Sequence, residues 1–267
     1  MNLRTKAIGL IGPVLFSAMV GCASTKGEAI DKRDPWEGFN RDMQVFNDKL
    51  DDYAMKPIAK GYQWITPSFV DRGITNFFSN VDDIGVAIND LLQLKLAQTG
   101  SDGARFLVNT VAGVGGLFDI ATMIDLPKNN EDFDQTLGVW GVPSGPYLVL
   151  PFFGPSSVRG VFGLVGDAAM NPVTYVDGGI ISGTYGAISG GLSLLDAVDQ
   201  RADNLSIEKI ATEAAVDRYE FFKNAYLQQR EYLILDGNLP ENDLELDIDI
   251  ELDHFNDDGS DPHPDSM

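Results

Sequence analysis

Residues 81–98 read VDDIGVAINDLLQLKLAQ. Ile84, Ile88, Leu91, Leu92 and Leu96 recur every three or four residues, while Asp83, Asp90 and Lys95 fall elsewhere. This is the period of an amphipathic α-helix and not the alternation of a strand. Upstream, Trp36, Phe39, Met43, Phe46 and Leu50 keep the same period. Asp34 stands as its cap, with Pro35 at the first helical position and Glu37 at capping-box spacing. The pattern restarts after Asp52 and ends near Pro67, and residues 68–80 read as a linker or a short helical turn.

Downstream, Ser101-Asp102 opens a sparsely charged run, ARFLVNTVAGVGGLFDIATMIDL. Gly113, Gly115 and Gly116 interrupt it, and each costs a helix roughly 1 kcal/mol. Close backbone approach or a break is therefore expected there. Residues 126–160 are dense in Pro, Gly and aromatic side chains, so turns dominate. Within them PYLVLPFFG reads as a short strand or an extended loop, and its prolines favour the loop. Ser156 then caps a helix to about Ala169. Residues 178–195 carry no charge, and Gly179/Gly183 and Gly186/Gly190 have the small-xxx-small spacing of closely packed helices in membranes or in a buried core. A long amphipathic helix follows from Leu205 to Leu235 through Ile207, Ile210, Ala214, Tyr219, Phe222, Tyr226 and Leu233, stopped by Asp236-Gly237. The fold class is all-α: several amphipathic helices with one Gly/Pro-rich irregular segment.

Composition removes most chemistry. The net charge is −21, and the tail after Pro240 holds eleven Asp/Glu and no Lys or Arg. With that tail and the leader's Arg4 and Lys6 set aside, the body stands near −12. Such a body does not grip nucleic-acid phosphates by counterion release. Both histidines, His254 and His263, lie in the tail, and Cys22 is the lone cysteine. A Ser-His-Asp triad, His-ligated or Cys-ligated metals and thiolate catalysis are thereby excluded from residues 23–253. No phosphate loop or nucleophile elbow is present. No enzyme activity, catalytic residue, metal or cofactor is expected.

The N-terminus has the form of an export signal: basic Arg4 and Lys6, an uncharged run from Ala7 to Gly21, then small residues. Met19-Val20-Gly21-Cys22 resembles the lipobox of bacterial lipoproteins. That resemblance implies diacylglyceryl transfer to the Cys22 sulfur, cleavage before it and acylation of the new amine. Ala23, in place of the Asp that retains many such proteins at the inner membrane, points to the outer membrane. The expected organisation is a signal peptide at 1–21, a lipidated tether at 22–33, a helical body at 34–236 and an acidic, disordered tail at 237–267.

Four longer stretches carry a family resemblance: DPWEGFNR (34–41), RFLVNTVAGVGGLFDIA (105–121), LGVWGVPSGPYLVLPFFGPSSVRG (137–160) and AYLQQREYLI (225–234). In order and spacing they resemble the VacJ/MlaA lipoproteins over roughly residues 33–236. The resemblance implies an outer-membrane lipoprotein that removes mislocalised phospholipid from the outer leaflet. It further implies a helical ring embedded in the inner leaflet, with a central channel, beside a trimeric porin. A periplasmic lipid-carrier protein would receive the phospholipid. The alternative is a non-transporting lipoprotein that scaffolds porin or other envelope partners. Pore-lining and lipid-contact residues are not identifiable at this level.

Overall fold

The computed structural model describes residues 31–176, 187–205 and 217–238. Cys22 and its leader, most of the tether, the glycine run up to Gly186, residues 206–216 and the acidic tail lie outside the described residues. The elements are α1 (Glu37–Leu50), a π-helical turn (Asp51–Met55), α2 (Lys56–Ile65), α3 (Ser68–Leu92), α4 (Leu96–Val111), the single turn α5 (Ile120–Met123) and α6 (Phe133–Val139). A two-stranded hairpin follows, β1 (Tyr147–Leu150) and β2 (Gly154–Ser157), then α7 (Val158–Met170), a 3₁₀ turn (Pro172–Tyr175), α8 (Ala187–Asp203) and α9 (Arg218–Ile234).

The helical reading holds, with three shifts of boundary and one new element. Residues 68–80 are not a linker but the first half of α3, which runs 25 residues. Thr, Asn and Gly make this half a weak helix former by propensity. Tertiary contacts override that: Ile74 packs on the cluster of Ala59, Tyr62, Val198 and Ala202, and Thr75 donates to Asp199 at 2.9 Å. The following helix starts at Leu96 and not at Ser101, after a tight turn with Leu94 at φ 63°. Ser157, not Ser156, caps α7, its hydroxyl accepting from the Gly160 amide at 3.0 Å.

The hairpin is the element the prolines argued against. Tyr147 pairs with Ser157 and Leu150 with Gly154 in antiparallel register. Pro151 lies in the connecting turn and Pro155 in β2, where a two-stranded sheet has only edges and a missing N–H costs nothing. The exposed edge of β1 is satisfied by side chains of α1. Asn40 donates to the Tyr147 carbonyl at 3.1 Å and accepts from the Val149 amide at 2.9 Å. Asn47, two turns on, repeats this with the Leu150 carbonyl (2.8 Å) and the Phe152 amide (2.9 Å). Two asparagines seven residues apart on one helix face thus act as a third strand.

Asp34 does not cap α1. The cap position is Trp36, with no side-chain bond. The Asp34 carboxylate is buried, accepting from Asn40 at 2.8 Å and from the Tyr219 hydroxyl of α9. Glu37 pairs instead with Arg41 at 2.7 Å. DPWEGFNR is therefore the joint at which α1, the hairpin and α9 meet. The GVGG stretch breaks the helix: Val114, Gly115 and Gly116 have φ of 56°, 72° and 92°. A Cβ on Gly113 would stand 2.1 Å from the Phe118 carbonyl oxygen, so only glycine fits the reversal. Asp236 and Gly237, at φ 51° and 79°, end α9 as expected.

Candidate functional site

The distribution of polarity is inverted. Among the described residues, nineteen polar or charged side chains are buried against ten apolar or aromatic ones. On α3 the buried positions are Phe78, Asn80, Asp83, Val86, Asn89 and Asp90. The aliphatic stripe that identified this helix is half-buried or open, with Leu91 and Leu92 exposed. On α4 the buried face is Asp102, Arg105 and Asn109, while Val111 is 81 % exposed. Trp64 is 87 % exposed, and Phe69, Phe152 and Phe153 are exposed with it. A water-soluble body rarely leaves so many large apolar side chains uncovered; such surfaces meet membrane or protein.

Several of the buried charges are paired. Arg105 donates to Asp119 at 3.2 and 3.3 Å, to Thr122 at 3.2 Å and to the Leu126 carbonyl, and stands 3.7 Å from Asp83. Asp83 also binds Lys128. Asn109 accepts from the Ala121 amide at 2.8 Å, so α4 ties down the loop behind GVGG through two residues of its motif. Arg159 donates to Asp134 at 2.7 Å and to the Val142 carbonyl at 2.9 Å. A chain of amides and hydroxyls joins Asn89 to Thr136 (2.8 Å) and Gln93 to Thr136 (3.1 Å) and Glu131 (2.8 Å). Asp90 has desolvation as its main perturbation, with Asp102 beside it, and is raised to about 8. Burial beside a second carboxyl thus favours the protonated form of Asp90.

Beside this network, reached by its Asn89, Lys128 and Glu131, lies a cavity of about 630 Å³. One face of α3 forms a wall, with Thr75, Phe78, Asp82, Val86 and Asn89 recurring every three or four residues. Asp196, Asp199 and Gln200 of α8 form another; Gln229, Arg230 and Leu233 of α9 and the strand of chain at 128–135 complete it. Desolvation, with Asp196 beside it, raises Asp82 to about 6 against the pull of Lys128. Asp167, at the end of α7, is raised to about 6 by desolvation, opposed by the Phe133 amide that donates to it at 2.8 Å. Asp196 is raised by desolvation and by Asp199, opposed by Gln200. Among the described residues no group of His, Cys, Asp and Glu stands where it could hold a metal. No described helix is long and apolar enough to cross a membrane.

Cys22, the site residue expected from sequence, lies outside the described residues. The lining residues were not foreseen. Their signal was present in α3, where Thr75, Asp82 and Asn89 are seven apart on one face. Missed likewise was Gly160, Gly163 and Gly166 in α7. A Cβ on Gly163 would meet Asp134 at 2.7 Å and one on Gly166 would meet Phe133 at 2.2 Å, so α7 and α6 touch backbone to backbone. Of the glycines singled out in the later run, Gly179, Gly183 and Gly186 lie outside the described residues, and Gly190 has open space around it.

A family model described as MlaA lipoprotein matches residues 32–233. An uncharacterised protein of Rickettsia conorii is 34% identical over 220 residues, covering 82% of this chain and 84% of its own length. The chain is 33% identical over 243 residues to the intermembrane phospholipid transport system lipoprotein MlaA of Shigella flexneri, covering 90% of this chain and 92% of that protein. A solved structure from work on the structural basis for maintenance of bacterial outer membrane lipid asymmetry superposes with a TM-score of 0.65 at 30% identity, over 75% of this chain and 98% of that one.

Proposed function

The chain belongs to the MlaA lipoprotein family, and from that premise we infer that it is an outer-membrane lipoprotein of the intermembrane phospholipid transport system. It removes mislocalised phospholipid from the outer leaflet and so maintains lipid asymmetry. The reading extends to a helical ring within one leaflet, anchored through acylated Cys22 on the periplasmic side. A trimeric porin beside it and a periplasmic carrier that takes the lipid complete the proposed assembly. No bond is broken; lipid moves down its gradient in chemical potential.

One observation carries this: an open cavity lined by carboxylates, amides and apolar side chains, among helices that leave large apolar residues exposed. Moving a charged headgroup through hydrocarbon costs several kcal/mol or more. A wet, hydrogen-bonding passage removes most of that barrier, while the acyl chains stay against apolar surface. Irregular backbone at membrane depth is tolerated where it lines such a cavity, and the chain at 128–135 does so.

Gly85 provides the test. It lines the cavity, and a Cβ there meets nothing within 4 Å. Gly85→Trp is expected to project its ring into the passage from a position whose Cβ has room. Phospholipid recovered by organic extraction of the purified protein, and lipid transfer to an acceptor, should fall several-fold while folding is kept. Unchanged transfer by a folded Gly85→Trp protein would rule the passage out. Acylated wild-type protein free of phospholipid would favour the scaffold instead.

A further inference from the structure

The cavity is unequal in charge. Asp82, Glu131, Asp132, Asp167, Asp196 and Asp199 face only Lys128 and Arg230. Both cations are already engaged, Lys128 by Asp83 and Arg230 by Asp132, with Asp134 at 3.5 Å. Glu131 is engaged by Lys95 at 2.9 Å. That leaves Asp82, Asp167, Asp196 and Asp199 with no Lys or Arg of the described residues within 4.0 Å. Their partners are neutral: Asn171 stands 3.4 Å from Asp82, Gln200 donates to Asp196 at 2.9 Å, and Tyr62 and Thr75 donate to Asp199 at 2.6 and 2.9 Å. Asp167 and Asp196, half-buried, are raised by desolvation as carboxylates are when no counter-cation stands beside them, and Asp82 lies at the exposed mouth of the same cavity.

We propose that this cavity selects phospholipids whose headgroup carries an ammonium, and disfavours those with a net negative headgroup. The inference rests on the transfer reading and adds the substrate class. Asp82 on α3 and Asp196 and Asp199 on α8 supply the missing half of an ion pair, and an ammonium between them relieves their mutual repulsion. The accompanying phosphodiester has Lys128, Arg230 and the Gln229 amide in the same cavity. A headgroup without an ammonium brings the same phosphodiester charge with no positive charge to offset it and so adds to the repulsion, and specificity arises as much from rejection as from attraction.

The experiment offers full-length acylated protein in mild detergent an equimolar mixture of phosphatidylethanolamine and phosphatidylglycerol with identical acyl chains. Bound lipid is extracted and quantified by mass spectrometry. A preference of about tenfold for phosphatidylethanolamine is expected, equivalent to ~1.4 kcal/mol. In Asp82→Asn/Asp196→Asn the ratio should fall toward one through increased retention of phosphatidylglycerol. Equal binding of both lipids by the wild type overturns the headgroup inference and leaves the transfer reading standing. A preference for phosphatidylglycerol does the same. Binding of neither overturns both. An unchanged ratio in the folded double variant also overturns it, since the carboxylates would then not be the source. The wild-type ratio decides the matter even where the variant does not fold.

Discussion

Asn40 shows how a single side chain carries tertiary structure. Its amide meets Asp34, the Tyr147 carbonyl and the Val149 amide, all buried. Asn40→Ala leaves the Tyr147 carbonyl and the Val149 amide without their side-chain partner and Asp34 with only the Tyr219 hydroxyl, at roughly 1–3 kcal/mol per lost bond, so thermal unfolding in mild detergent should move down sharply. Asn47→Ala, whose partner Phe152 is exposed, should cost less. Asp90 gives a pH signature. Its folded value, about 8, lies above the ordinary carboxylate value, so the folded state binds the proton more tightly. Its contribution to stability is complete below the unfolded value and is lost as pH rises through the folded one. Asp90→Asn keeps a donor toward Asp102 and does not titrate. The difference in melting temperature between variant and wild type should grow in the variant's favour from about pH 5 to about pH 9. A constant difference would exclude the shared proton. None of this is visible in sequence, where Asp90 is one carboxylate among forty.

At the scale of elements, period proved more legible than boundary. The helical repeat around residues 81–98 located α3, yet its first half was lost because Gly73, Thr75 and Asn76 lower propensity and only contact with α2 and α8 restores it. The hairpin was lost for the opposite reason: proline argues against an interior strand, and this sheet has no interior. Close glycine packing is seen in α7, whereas of the small-residue run at 178–195 only Gly190 among the four spaced glycines lies within the described residues. Gly166→Ala should destabilise by roughly 1–3 kcal/mol through overpacking against Phe133. Gly190→Ala, with space around it, should stabilise by roughly 0.5–1 kcal/mol through lost backbone freedom in the unfolded chain. Denaturation of the two variants under one condition checks both expectations, and a larger loss at Gly190 than at Gly166 would contradict them.

For the whole molecule, polar groups inside and apolar faces outside suit a protein that meets lipid around its rim and headgroups within. Apolar faces alone do not make a stable anchor, and one acyl chain binds only marginally. Cys22→Ala is therefore expected to lower the outer-membrane fraction by about tenfold or more on fractionation. Retention at full level would mean that the helical body holds itself in the membrane. Arg159→Met tests the interior at the same scale. It strips Asp134 of its closest cation in a buried pair, at roughly 3–5 kcal/mol, and loosens the joint between α6 and α7 beside the cavity.

The sequence by itself determined what is local or additive: helical period, the stop at Asp236-Gly237, the need for glycine at the GVGG break, the absence of His and Cys from residues 23–253 and the family through its four long motifs. Which face of each helix turns inward was decided only by the tertiary structure. Periodicity places residues on a face, but the solvent on each side sets the sign of burial. Asp83, Asp102 and Arg105 are buried because partners from separate elements neutralise or bond to them. The cavity is likewise a relation among α3, α8 and α9, distant in sequence, and its charge follows from which carboxylates are left without a cation once those helices have met.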